Sequence, residues 1–152
     1  MKKTHINFLE PSQEQLNILL NFYQTKRYAE AEKLSLSITQ EFPKHQFAWK
    51  VLAALHKLNG RINESIIVSQ KSIELDPQDA EAHNNLGVLL QHQGRLKEAE
   101  ASCNKAITLK PDYTEAHFNL GNILKVLGRL KDAEACYIKA IQLKPEYTAA
   151  HF

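Results

Sequence analysis

The chain has no long apolar run, only two cysteines, one tryptophan and almost no net charge. Each scarcity excludes something. No stretch approaches the roughly 20 consecutive apolar residues of a membrane span, so no membrane partner is expected. Near the start, Ile6, Phe8 and Leu9 are interrupted by Asn7 and followed by Glu10, too short for the apolar core of an export signal. The expected location is the cytoplasm. Neither Cys103 nor Cys136 has a Cys or His neighbour at metal-ligand spacing, which leaves buried free thiols in a reducing compartment. The formal charge of +2 is too small to imply nucleic acid. Basic and acidic residues also alternate, as in Arg95, Lys97, Glu98 and Glu100, which is the pattern of a solvated helix face.

Proline and glycine are sparse, five of each, but they are placed with regularity. Pro43, Pro77, Pro111 and Pro145 follow one another at intervals of 34 residues. Gly60, Gly94 and Gly128 keep the same interval, as do Arg27, Arg61, Arg95 and Arg129. Trp49, His83, His117 and His151 share another slot. A fixed 34-residue period means stacked copies of one supersecondary unit. After a lead-in of residues 1–11, the units run without insertion over 12–45, 46–79, 80–113 and 114–147, and a further copy begins at 148–152. The third and fourth units agree at 21 of 34 positions, so their chemistry can be compared slot by slot.

Each unit reads as two helices. In the third, Leu86, Leu89 and Leu90 recur at helical spacing before Gly94, which ends the helix. A second amphipathic run carries Leu96, Ala99, Cys103, Ala106, Ile107 and Leu109, and Pro111 blocks its continuation. No segment alternates with period two long enough for a strand, so the fold class is all-α. Gly87 and Gly121 lie inside helices, where glycine costs about 1 kcal/mol relative to alanine, and therefore signal close backbone approach. The first unit has Leu19 in that slot and Lys26 in the turn-glycine slot, which predicts looser or shifted packing there. Ser12 with Gln15 predicts a capping box at the first helix.

The pattern resembles the tetratricopeptide repeat (TPR): an aromatic, Leu-Gly, a large residue, Ala, a bulky residue, Ala and Pro. It stands as His83, Leu86, Gly87, Leu90, Ala99, Cys103, Ala106 and Pro111, and as His117, Leu120, Gly121, Leu124, Ala133, Tyr137, Ala140 and Pro145. The second unit carries Trp49, Leu52, Ala53 and His56, then Ser65, Ser69 and Ser72 as departures, and Pro77. The first matches weakly, through Ile18, Phe22, Ala31 and Pro43. The resemblance covers residues 12–152. It implies an α-solenoid of antiparallel helix pairs in a right-handed superhelix, with first helices lining a concave groove. It also implies a protein or peptide partner bound there. The repeats are also similar to those of bacterial TPR proteins and of O-linked N-acetylglucosamine transferase arms.

The groove-lining positions this implies are Asn17, Lys50, Asn84, Asn85, Phe118, Asn119, Asn122, Gln91 and Lys125, joined by Lys57 and His92. Asn17, Asn85 and Asn119 share one slot, with Val51 the exception, and amides there can pair with a ligand's backbone. A carboxylate clamp of the kind some family members use is not expected. Its slots would hold Lys50, Ala54, Asn85, Glu115 and Asn119, one lacking a donor and one of the wrong sign. The histidines of the 34-residue slot fall on helices with axes about 8–10 Å apart, too far to share a metal ion. Packing residues are the expectation, with no cofactor. There is no nucleophile with a His and carboxylate partner and no phosphate-binding glycine loop, so no enzyme is expected. The expected function is a binding module or scaffold. Two alternatives stand beside it: the substrate-selecting arm of a larger glycosyl-, sulfo- or methyltransferase, and a repeat protein that self-associates through its last unit.

Overall fold

The computed structural model describes residues 10–146. These form eight helices and no strand. They are α1 (Gln13–Gln24), α2 (Tyr28–Glu41), α3 (Gln46–Leu58), α4 (Ile62–Leu75), α5 (Ala80–His92), α6 (Leu96–Leu109), α7 (Thr114–Val126) and α8 (Leu130–Leu143). Each helix packs on its neighbours in sequence, and α5 also touches α7. This is the one-dimensional stacking of a solenoid. His151 and the further copy at 148–152 lie outside the described residues, as does most of the 1–11 lead-in.

The punctuation is local chemistry. At the end of every first helix, the N–H of Arg27, Arg61, Arg95 or Arg129 donates to the carbonyl of Phe22, His56, Leu90 or Leu124, at 2.8–2.9 Å. The residue before it turns left-handed. Gly60, Gly94 and Gly128 do so at φ of 72°, 74° and 77°. This is the Schellman closure, in which glycine has no Cβ to clash. Lys26 is forced into the same conformation at φ 60°. Second helices end at Phe42, Asp76, Lys110 and Lys144, each held out of the helical region ahead of a proline. Ser12 and Gln15 form the capping box, with bonds of 3.1 and 2.9 Å.

The core between paired helices obeys a volume rule. Two facing slots, one per helix, hold Leu19 and Ser35, Ala53 and Ser69, Gly87 and Cys103, and Gly121 and Tyr137. A Cβ on Gly87 would lie 2.5 Å from Cys103 Sγ, and one on Gly121 would lie 2.6 Å from Tyr137 Cε1. One member grows only where the other shrinks. The looser or shifted packing expected for the first unit is what the structure shows: α1 and α2 touch over much less of their length than the paired helices of the later units, although Leu19 and the facing Ser35 are both fully buried.

Units are also tied by polar joints. Trp49 Nε1 donates to the Pro43 carbonyl at 2.9 Å, and Nε2 of His83 and His117 stands 3.0 and 2.8 Å from the carbonyls of Pro77 and Pro111. A carbonyl only accepts, so each imidazole carries its proton on Nε2. Arg61 and Arg129 reach back to Glu32 and Glu100 of the preceding unit, both at 2.6 Å. Arg95 has Ile66 in that place and turns to Glu98 instead.

Two outcomes follow from this packing. Gly121→Ala sets about 1–3 kcal/mol of overpacking against the roughly 1 kcal/mol alanine gains in a helix. It should destabilise in the native background and stabilise in a Tyr137→Ser background, as read by urea unfolding of the double-mutant cycle. Equal effects in both backgrounds would refute the volume rule. Lys26→Gly removes a left-handed penalty of about 1–2 kcal/mol at a glycine entropy cost of about 0.5–1 kcal/mol. It should raise the urea midpoint, whereas an unchanged or lower midpoint would mean Lys26 is unstrained.

Candidate functional site

The slot spacing places α1, α3, α5 and α7 in one layer, and a cleft of about 490 Å³ opens on it across the first three units. Leu20 and Tyr23 come from α1, and Phe47, Lys50, Val51, Ala54, Lys57 and Leu58 from α3. Glu81, Asn85 and Leu89 come from α5. The floor is Ala53 with Ser65, Ser69 and Ser72 of α4. Volume and composition suit a ligand site: mostly apolar walls with a few polar groups.

The cleft has an electrostatic edge. Lys50 Nζ stands 2.8 Å from Asp79 Oδ2 and 3.4 Å from Glu81 Oε2. Asp79 also caps α5, accepting from Ala82 N–H at 3.0 Å, and takes a bond from Gln46 Nε2 at 2.8 Å. Burial works to raise the Asp79 carboxyl, but the bonds from Lys50, Ala82 and Gln46 and the charge of Lys50 outweigh it and hold it below the usual range. Burial likewise works against the Lys50 ammonium, and Asp79 and Glu81 more than offset it. The side chains of Lys57 and Asn85 make no hydrogen bond or ion pair with the described residues.

Of the positions singled out in the sequence, the cleft brings together Lys50, Asn85 and Lys57. The others lie outside its lining. Asn17 is exposed on α1, its Oδ1 accepting from Gln13 Nε2 at 3.0 Å. Asn84 is only 4% exposed. Its Oδ1 accepts from Asn119 Nδ2 at 3.0 Å and its Nδ2 faces the Tyr113 hydroxyl at 3.5 Å. Asn84 and Tyr113 thus repeat, one unit on, the places of Lys50 and Asp79. Phe118 is half-buried with its ring 5.8 Å from that of Tyr137, whose hydroxyl donates to Asn122 Oδ1 at 2.8 Å. Gln91 is half-buried, and His92 and Lys125 are exposed.

Sequence reasoning missed the floor. Ser65, Ser69 and Ser72 read as departures from the repeat, yet they are what deepens the groove. The available signal was the clustering of small residues in a single unit, Ala53 and Ala54 with these three serines. Elsewhere the reactive groups are muted. Burial, and then Cys136, pushes the Cys103 thiol up to about 12. Cys136 is half-buried rather than buried, and burial raises it too. Burial and then the Arg61 charge hold the imidazole of His56 below its usual range, with its Nδ1 3.8 Å from Glu32 Oε1. Among the described residues no group of three or more His, Cys, Asp or Glu could hold a metal ion, and no helix is long and apolar enough to cross a membrane.

Family models match most of this layer. The tetratricopeptide repeat model matches residues 80–113 and 114–147, and a TPR repeat model matches 55–94. Among solved structures, MamA is similar with a TM-score of 0.82 and 23% identity, over 88% of this chain and 78% of that one. YrrB, described as a TPR protein with an unusual peptide-binding site, gives 0.81 and 19%, over 90% and 70%. The first TPR of Spaghetti (RPAP3), bound to an HSP90 peptide SRMEEVD, gives 0.68 and 24%, over 69% and 83%. No curated protein matches the chain in sequence.

The Asp79 geometry fixes a pH dependence. Its folded-state carboxyl lies below the unfolded value of about 3.9, so its contribution is present above that value and is lost as pH falls through the folded one. Asp79→Asn keeps a competent helix cap but loses the charge. It should cost about 1–3 kcal/mol near pH 7 and progressively less below pH 4, measured by urea unfolding across pH. A loss that stays constant down to pH 2 would contradict this.

Proposed function

The chain belongs to the tetratricopeptide-repeat family, and on that premise we propose that it is a protein-interaction module holding a partner peptide along its first-helix layer. The observation that carries the reading is the cleft of about 490 Å³ on that layer, with Lys57 and Asn85 uncommitted at its walls. A buried apolar surface can be completed by ligand side chains, while an amide with both donor and acceptor free can pair with a ligand backbone regardless of sequence. Asn119 has given one of its two Nδ2 hydrogens to Asn84, so it keeps one N–H and its oxygen for a ligand, whereas the Asn85 amide keeps all its donors and its acceptor. Asn85 is therefore the stronger backbone reader. Support also comes from YrrB and RPAP3, two similarly folded proteins described with peptide sites or bound peptide.

The test is calorimetric titration with peptides selected by display of a random library on the intact chain. Asn85→Ala should weaken a selected peptide about ten-fold, the worth of one or two backbone bonds. Lys105→Ala, exposed on α6, should change nothing. No selectable peptide, or affinity that responds to Lys105 and not to Asn85, would sink the reading.

A further inference from the structure

One slot near the end of each first helix holds Phe22, His56, Leu90 and Leu124 in turn. Its carbonyl accepts the arginine N–H that closes the turn. Leu90 and Leu124 are buried there, and so is His56, at 7% exposed. His56 thus brings a titratable ring into a place the other units keep apolar. Its Nδ1 is buried without a hydrogen-bond partner, where buried polar atoms are ordinarily paired. Glu32 Oε1 of α2 stands 3.8 Å away, beyond hydrogen-bond reach. That oxygen is held by Arg61 at 2.6 Å, and Asn59 Nδ2 donates to the other at 3.4 Å. The charged groups acting on the ring are Arg61 from the turn, Glu32 from α2 and Glu64 from α4, and burial with Arg61 outweighs the two carboxylates. The fourth unit is a built-in control. Arg129 reaches back to Glu100 at the same 2.6 Å, with Leu124 in place of the imidazole.

We propose that the joint between the first two units is an acid-sensitive latch: protonation of His56 sets a second cation beside Arg61 with Glu32 between them, and the packing of α2 on α3 loosens. The folded ring takes a proton less readily than the unfolded one. Its share of stability is therefore full above about pH 6.5 and is lost as pH falls from there toward the folded value. Because α1 packs on α2, the cleft wall of Leu20 and Tyr23 parts from α3 in acid and a bound peptide is released. That consequence rests on the groove reading above; the latch itself does not.

The test follows the imidazole signals of the intact chain by NMR against pH. His56 should titrate below the ordinary histidine range, and Arg61→Gln should raise its midpoint by removing the nearby cation. Amide exchange reads the joint. From about pH 7.5 to about pH 5, across the histidine range, protection of the Arg61 N–H, bonded to the His56 carbonyl at 2.8 Å, should fall several-fold. Protection of the Arg129 N–H, bonded to the Leu124 carbonyl at 2.9 Å, should hold. His56→Leu supplies the residue of the later units and should abolish the loss; if it disturbs the fold, His56→Gln removes the titration and keeps a polar side chain. A peptide selected on the intact chain should bind several-fold more weakly at the acid end, and equally at both ends with His56→Leu. A His56 midpoint in or above the ordinary range, an equal loss at Arg61 and Arg129, or a loss that survives both His56 variants would overturn the latch. A joint that opens without weakening the peptide would overturn its link to the cleft. Failure to select any peptide would sink the groove reading alone, since titration and exchange judge the latch without a ligand.

Discussion

The close approach of the paired helices leaves little room for side chains between them, and the residues in the facing slots are chosen within that limit. Packing at crystal-like density makes the space nearly fixed. Gly121 exists because Tyr137 takes the volume from the opposite helix, and Gly87 because Cys103 does. Leu19 fills it from the first helix, so Ser35 must be small. The second unit meets the same limit with two small residues, Ala53 and Ser69, and the cleft opens beside them.

Around that core the joints are made from a small repertoire. A left-handed residue reverses the chain after each first helix, and a proline ends each second helix. The proline also leaves a carbonyl that the next unit's Trp or His satisfies. The aromatic slot of the repeat therefore asks for a flat side chain with an N–H at the right reach, which indole and imidazole both supply. The exposed arginine pairs add little energy individually. Their alternation, back to Glu32 and Glu100 but not to Ile66, follows the sequence of the preceding unit.

Much of the fold was legible in the letters because its determinants are local. Period, helix ends and the capping box at Ser12 each depend on residues within one turn or one unit. The identity of the helix-interior glycines as close-approach points was legible too. What was not legible depends on pairs far apart in sequence. Leu19 marked the first unit as the loosely packed one, as it is, but that Leu19 is itself fully buried opposite Ser35 was not legible. Asn84 looked like a groove residue, because the repeat gives its slot but not which neighbour covers it, and Tyr113 of the same unit does. The serines of the second unit looked like noise in the pattern. Their meaning appears only when the facing slot, Ala53, is found to be small as well.

The most direct measurement is a crystal structure of the chain bound to a selected peptide. The account requires the peptide to run along the first-helix layer through the cleft, with its backbone amides within hydrogen-bond distance of Asn85. A peptide bound on the second-helix face, or on the first-helix layer away from Asn85, would contradict it.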